Sequence, residues 1–218
     1  LKYLKLPFKP IKNDTILRLH IAATQVEARL VILDKDVIEP GEELFVQFVF
    51  KEPLVALPGD RFILRGSYAV QTIGGGRILD IMPRRHRRRM EGLQKTYTVL
   101  SGNDDFEKIL YHAGKFEFAG IDEGRLSILI GKDNAQTREL IQKLTAARKV
   151  RIVGKTVLQE EMFNAYKKLL FSILKDFVDK NPLKAGMSKE ELRTRLPKTD
   201  ANIFQNAIDE MIRDSKVE

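Results

Sequence analysis

The 218-residue sequence contains no cysteine, which excludes disulfides and thiolate metal sites and fits a cytoplasmic setting. No uninterrupted apolar run approaches the roughly 20 residues that span a bilayer, so no membrane association is expected. The opening Leu1-Lys2-Tyr3-Leu4-Lys5-Leu6-Pro7 lacks the apolar core of a signal peptide. It also lacks an initiator methionine, and we expect the chain to start inside a longer polypeptide. A phosphate loop of the form G-x-x-x-x-G-K-[ST] is missing, which excludes nucleotide hydrolysis of that type. The histidines His20, His86 and His112 lie in three separate segments and suggest no metal cluster. His20 reads as a barrel-face residue and His112 as a surface or cap residue near a helix end. No Ser/His/Asp set or carboxylate pair stands out, so no catalytic, metal or cofactor residue is expected.

What is present is a soluble composition, 43% apolar and 31% charged, with a net charge of +8. The placement of that charge is informative. Residues 1–83 carry 11 Lys/Arg against 10 Asp/Glu, residues 90–158 carry 11 against 9, and residues 159–218 carry 11 against 11. Most of the excess is therefore in one hexapeptide, Arg84-Arg85-His86-Arg87-Arg88-Arg89. Its five arginines can neutralise phosphates, or serve only as a solvated linker.

Residues 1–83 read as all-β. Runs rich in β-branched and aromatic residues cover 16–22, 26–33, 44–51, 61–65 and 77–81. Turn chemistry separates them at Glu39-Pro40-Gly41-Glu42 and Leu57-Pro58-Gly59-Asp60. Five or six short antiparallel strands in about 80 residues should close into a small barrel. Gly74-Gly75-Gly76 interrupts such a run, so the backbone there must bend or come close to something bulky.

From about residue 88 the apolar period changes from two to 3.6. Asp122 is a candidate cap for a helix ended by Gly131, and Asn134 for a helix carrying Leu140, Ile141, Leu144 and Ala147. Residues 150–153 and 156–158 alternate around Gly154-Lys155 as a hairpin. Helix, turn, helix and hairpin is the order of a winged helix-turn-helix domain. The order then restarts: a long helix from Phe163 to Phe177, a capping box at Ser188-Lys189-Glu190-Glu191, and a helix capped by Asp200. The fold class expected is thus multidomain, β followed by α/β. A small antiparallel barrel (1–83) and a basic hinge (84–89) lead into one winged-helix domain (90–158) and a second, incomplete one (159–218).

Several segments carry a resemblance. His20-Ile21-Ala22-Ala23-Thr24-Gln25-Val26-Glu27-Ala28-Arg29, Glu39-Pro40-Gly41-Glu42, Val55-Ala56-Leu57-Pro58-Gly59-Asp60-Arg61-Phe62-Ile63-Leu64-Arg65 and Thr72-Ile73-Gly74-Gly75-Gly76-Arg77-Ile78-Leu79-Asp80 resemble the third domain of bacterial selenocysteine-specific elongation factors. That domain is a barrel like domain three of elongation factor Tu. Pro182-Leu183-Lys184-Ala185-Gly186-Met187-Ser188-Lys189-Glu190-Glu191-Leu192-Arg193 resembles the start of the family's second winged helix. The resemblance implies a GTP-dependent carrier of selenocysteyl-tRNA to the ribosome at recoded UGA codons, with further winged helices gripping an mRNA hairpin. GTP and magnesium would belong to an N-terminal domain not included here, and a monomer is expected. It also implies that the loop after the Phe-x-x-Arg strand approaches the T stem of tRNA. In this sequence that loop offers Arg65, Gly66, Ser67 and Tyr68, with Gln71 close behind.

Two other readings stay open. Winged helices commonly place their third helix in the DNA major groove, which would make the chain a DNA-binding regulator. Arg138, Lys143, Arg148 and Lys149 are the cations best placed for this, whereas the last helix has only Arg213 beside Asp209, Glu210 and Asp214. Alternatively the helical modules are structural spacers, as the zero net charge of residues 159–218 favours.

Overall fold

The alternation seen in the sequence becomes pleated sheet. A computed structural model describes residues 1–66, 71–83, 92–184 and 186–214, which divide into two units, Leu1–Asp104 and Asp105–Glu218. The first contains strands β1 (Lys2–Tyr3), β2 (Ile11–Lys12), β3 (Ile16–Ile21), β4 (Thr24–Ile32), β5 (Val37–Ile38), β6 (Val46–Phe50), β7 (Arg61–Arg65) and β8 (Thr72–Arg77). Six form an antiparallel sheet in the order β1-β8-β7-β3-β4-β6, and β2 pairs with β5 as a separate ribbon. The two edges of the sheet meet. Leu1 N donates to Leu44 O and Leu44 N to Leu1 O, while Tyr3 N donates to Glu42 O, so the lead-in to β6 closes onto β1. The expected barrel is what forms.

Inward positions of β3 and β4 (Leu17, Leu19, Ile21, Ala28, Leu30, Ile32) are buried with Phe62, Leu64 and Tyr3. Intervening residues such as Arg18, Glu27 and Arg29 face solvent, the period-two pattern of a half-covered strand. Both expected Pro-Gly turns form: Glu42 N donates to Glu39 O and Asp60 N to Leu57 O. The glycines sit at φ 93° and 96°, where a side chain is disfavoured.

The glycine triplet does not bend its strand. β8 runs straight through Gly74-Gly75-Gly76, and residues 78–81, expected to be strand, are not. A Cβ at Gly75 would sit 2.7 Å from the Phe62 carbonyl oxygen, and one at Gly74 equally close to that of Lys2. Close approach to both neighbouring strands is therefore the reason for the run. Helix α1 (Leu93–Ser101) also falls in this unit. Its Tyr97 ring lies 5.5 Å from Phe45, and burial, aided by Asp80, pushes its hydroxyl pKa up to about 12.

The second unit follows winged-helix order. It runs α2 (Asp105–Lys115), a 3-10 turn, β9 (Ile121–Asp122), α3 (Glu123–Ile130), α4 (Asn134–Ala146), β10 (Val150–Val153) and β11 (Thr156–Gln159). β10 and β11 form the expected hairpin around Gly154-Lys155, and β9 adds a third strand. Asp122 caps α3 by accepting from Arg125 N, and Gly131 ends it in the left-handed conformation. The cap of α4 is Asp133, not Asn134: its carboxylate accepts from Gln136 N, while Asn134 Oδ1 accepts from Ser127 Oγ. His112 is not a surface residue. It shares the buried face of α2 with Ile109 and Ala113, its ring 5.0 Å from Tyr111.

α5 (Glu160–Lys180), α6 (Lys189–Arg195) and α7 (Ala201–Arg213) begin the second repeat. Ser188 accepts from Glu191 N as a capping box requires, but Glu191 turns to Arg195 instead of reaching back. Asp200 caps α7. One core joins the two repeats: Val153 and Leu158 from the hairpin pack with Phe163, Tyr166, Leu170, Phe204 and Met211.

Candidate nucleic-acid interface

The outer face of the barrel brings arginines together across strands. Arg18 on β3 stands directly opposite Arg65 on β7, and Arg61 on β7 opposite Arg77 on β8. Like charges facing each other across a sheet destabilise it. Among the described residues no acid is ion-paired with any of the four, whereas Arg29 on the same face pairs with Asp14. Glu27 stands opposite Arg18 on its other side without forming a salt bridge. Between the two arginine pairs lies a smoother row of Gly75, Ile63, His20 and Gln25. The face carries four arginines, and Ile63 between them is exposed.

Arg65 has the most distinctive setting. The register between β7 and β8 shifts between Leu64 and Arg65, a bulge of the kind that re-aims a side chain at the end of a strand. Its Nε is buried without a hydrogen-bond partner among the described residues. A buried donor left unsatisfied costs about 1–3 kcal/mol unless something supplies an acceptor. Half-buried Gly66 and exposed Gln71 flank the connection to β8. Ser67 and Tyr68, expected in that loop, and Arg84, Arg85, Arg87, Arg88 and Arg89 of the hinge lie outside the described residues.

The cations of the second unit are differently disposed. Arg138 Nε contacts Glu123 at 2.8 Å, and Lys143 Nζ contacts Glu139 at 2.6 Å. The hydrogen bond from Lys143 holds the Glu139 carboxyl below its usual range. Arg148 and Lys149 lie past the end of α4, in the turn before β10, with Arg148 at φ 55°. Arg151, not singled out from the sequence, is the best-anchored cation of the unit. It makes a two-point contact with Glu160 (3.0 and 2.8 Å), pairs with Glu210, and lies 4.0 Å from the Phe163 ring centroid. Lys167 joins through Glu210 at 2.7 Å. These side chains tie β10 to α5 and α7 and neutralise one another.

Sequence reasoning singled out Arg65 and not Arg18, Arg61 or Arg77. The signal exists: each occupies an outward position of an alternating strand. What turns these positions into a cluster is cross-strand register, which local pattern does not encode.

Comparison with known proteins agrees with this architecture. Residues 4–85 match the family model for the selenocysteine-specific elongation factor, beta-barrel domain, and residues 171–218 that for the elongation factor SelB, winged helix. Together the matches take in more than half of the chain. A selenocysteine-specific elongation factor from Desulfomicrobium baculatum is 27% identical over 191 residues, covering 84% of this chain and 29% of its own length. A crystal structure of the bacterial selenocysteine-specific elongation factor EF-Sec superposes on 96% of this chain with a TM-score of 0.64 at 13% identity, a likeness of fold. That alignment takes in 31% of the larger chain, so the sequence spans under a third of either relative.

Proposed function

From its membership of the selenocysteine-specific elongation factor family, as a segment carrying the β-barrel and winged-helix parts, we propose that this chain grips RNA with its barrel and extends it with a stiff helical spacer. The whole protein would be a GTP-dependent factor bringing selenocysteyl-tRNA to the ribosome at recoded UGA codons, its GTPase chemistry lying in another domain. The barrel would lie against the acceptor/T arm of the tRNA, and the Arg84–Arg89 run would add phosphate contacts independent of sequence. The observation that carries this reading is the Arg18–Arg65 pair, two like charges held opposite each other with no ion pair to an acid among the described residues, although Glu27 stands across from Arg18. A phosphate backbone supplies the missing counter-charge, and Gly66 with Gly75 keeps the approach unobstructed.

The helical unit reads as a spacer. Residues 159–218 carry no net charge, and the unit's two repeats share one core. A DNA-reading role for α4 is disfavoured because Arg148 and Lys149 lie past its end, leaving it Arg138 and Lys143, each beside an acid.

The test is the double variant Arg18→Ala/Arg65→Ala, with binding to selenocysteine tRNA measured across a salt series. Each phosphate contact contributes close to one unit to the slope of log affinity against log salt, so the slope should fall by about two and low-salt affinity by about tenfold. Unchanged slope and affinity would refute the barrel assignment. So would a preference of the unaltered chain for duplex DNA over tRNA.

A further inference from the structure

His20 stands on the same outer face of the barrel as the arginines. It lies on β3 two residues from Arg18, opposite Ile63 on β7 and Gln25 on β4. Its Nε2 is buried without a hydrogen-bond partner among the described residues, the condition also found at Arg65 Nε. Around them Arg18, Gln25, Glu27 and Ile63 are exposed, whereas His20 and Arg65 are half-buried. The two unmatched nitrogens therefore belong to the two recessed side chains of this part of the face.

Register makes these side chains neighbours. Arg65 pairs with Arg18 and Ile63 with His20, so Arg65 and His20 occupy a diagonal between β7 and β3. Diagonal residues on one face of a sheet lie about 7–8 Å apart, a span that long and aromatic side chains cover. Directly across β7 from His20 stands only aliphatic Ile63. Arg65 Nε always carries a hydrogen and accepts nothing, while an imidazole nitrogen donates in one tautomer and both donate once the ring is protonated. One anion with two free oxygens satisfies both nitrogens together.

We propose that His20 Nε2 and Arg65 Nε form a two-point seat for a single RNA phosphate, and that the imidazole makes the barrel's hold on RNA proton-linked. The seat rests on the RNA-binding role proposed above for the barrel. The charged groups facing His20 are Arg18 on its own strand, Arg61 and Arg65 on β7, Arg77 beyond Arg61 on β8, and Glu27 on β4. Four cations and one acid give an imidazolium little internal counter-charge. A phosphodiester between the two donors supplies it, and a charged donor binds a phosphate oxygen more strongly than a neutral one. RNA affinity should therefore rise as pH falls through the ordinary histidine range, near about 6.5.

The test measures binding of selenocysteine tRNA to the 218-residue chain at fixed ionic strength, from about pH 8 to about pH 5.5, beside His20→Gln and Arg65→Lys. Glutamine keeps an N–H donor but takes up no proton, and lysine keeps the charge but lacks the guanidinium Nε–H. On acidification the unaltered chain should gain about tenfold more affinity than His20→Gln, the two binding within about twofold of each other at the alkaline end. Arg65→Lys should keep the salt slope and lose most of that gain. His86 in the basic run is present in both chains, so the comparison with His20→Gln removes its contribution. An equal gain in His20→Gln and the unaltered chain would overturn the seat. A loss of affinity on acidification that His20→Gln abolishes would overturn it too, by showing that His20 accepts from Arg65 instead of donating to RNA. The barrel reading is judged apart from this: a salt slope that falls in Arg18→Ala/Arg65→Ala while the acid gain survives in His20→Gln keeps that reading and removes only the seat.

Discussion

The two units treat charge in opposite ways. On the barrel, Arg18 faces Arg65 and Arg61 faces Arg77 with no acid paired to any of them among the described residues. In the helical unit Arg151, Glu160, Glu210 and Lys167 close into a network over the Phe163 ring, between elements that share one core. Burying a charge is tolerated when its partners are fixed around it, and holding like charges together is tolerated when something else neutralises them. The Arg151 network therefore neutralises itself, while the barrel arginines have no acid paired to them among the described residues. Net charge by segment does not show this contrast, since residues 1–83 carry +1 and residues 90–158 carry +2; the pairing of residues does.

The contrast can be broken at the shared core first. Phe163 is fully buried beneath Arg151, and Phe163→Ala should cost about 3–5 kcal/mol. Hydrogen exchange should accelerate in α3, β10 and β11 together with α5 and α7, and the barrel should be unaffected. Acceleration confined to α5–α7 would mean that the repeats are energetically separate. On the barrel side, Gly75→Ala forces a methyl against the Phe62 carbonyl and should cost about 1–3 kcal/mol in urea unfolding of that unit alone. The smallest effect concerns Glu210. Burial pushes its carboxyl up, but the hydrogen bonds from Lys167 and Arg151 outweigh that and hold it below its ordinary value of 4.5. A carboxyl lowered by folding contributes stability that is complete above the unfolded value and is lost as pH falls through the folded one. Glu210→Gln should destabilise the helical unit by about 2 kcal/mol near neutral pH, and less at acid pH, flattening its stability curve between about pH 5 and pH 3. An identical curve for the variant would show that the network contributes nothing.

Much of the architecture is legible in local chemistry. The Pro-Gly turns, the caps Asp122, Ser188 and Asp200, the Gly131 stop and the Gly154-Lys155 hairpin all act within a few residues of themselves. The rest is settled by neighbours outside the motif or by spacing left unread. Gly74-Gly75-Gly76 signals a backbone requirement, but only the neighbouring strands show that proximity, not bending, is that requirement. Asn134 has the chemistry of a cap and loses the position to Asp133, because Ser127 engages it across the turn. His112 follows Ile109 by three residues and precedes Ala113 on the same helical face, a spacing that would have placed it inside. The site is less legible than the fold. Arg65 stands at the end of a recognisable strand, but its partner Arg18 lies 47 residues earlier and joins it only through register.

The pairing of Lys2 with Gly75 has a consequence for how the protein is made. On a ribosome, the opening residues of the barrel would wait, unpartnered, until more than seventy further residues had been synthesised and had emerged. The helical unit forms its hairpin and helix caps between near neighbours and needs no such delay. Because long-range pairing is slow and leaves apolar edges exposed meanwhile, the barrel is the part of the chain most exposed to aggregation during synthesis.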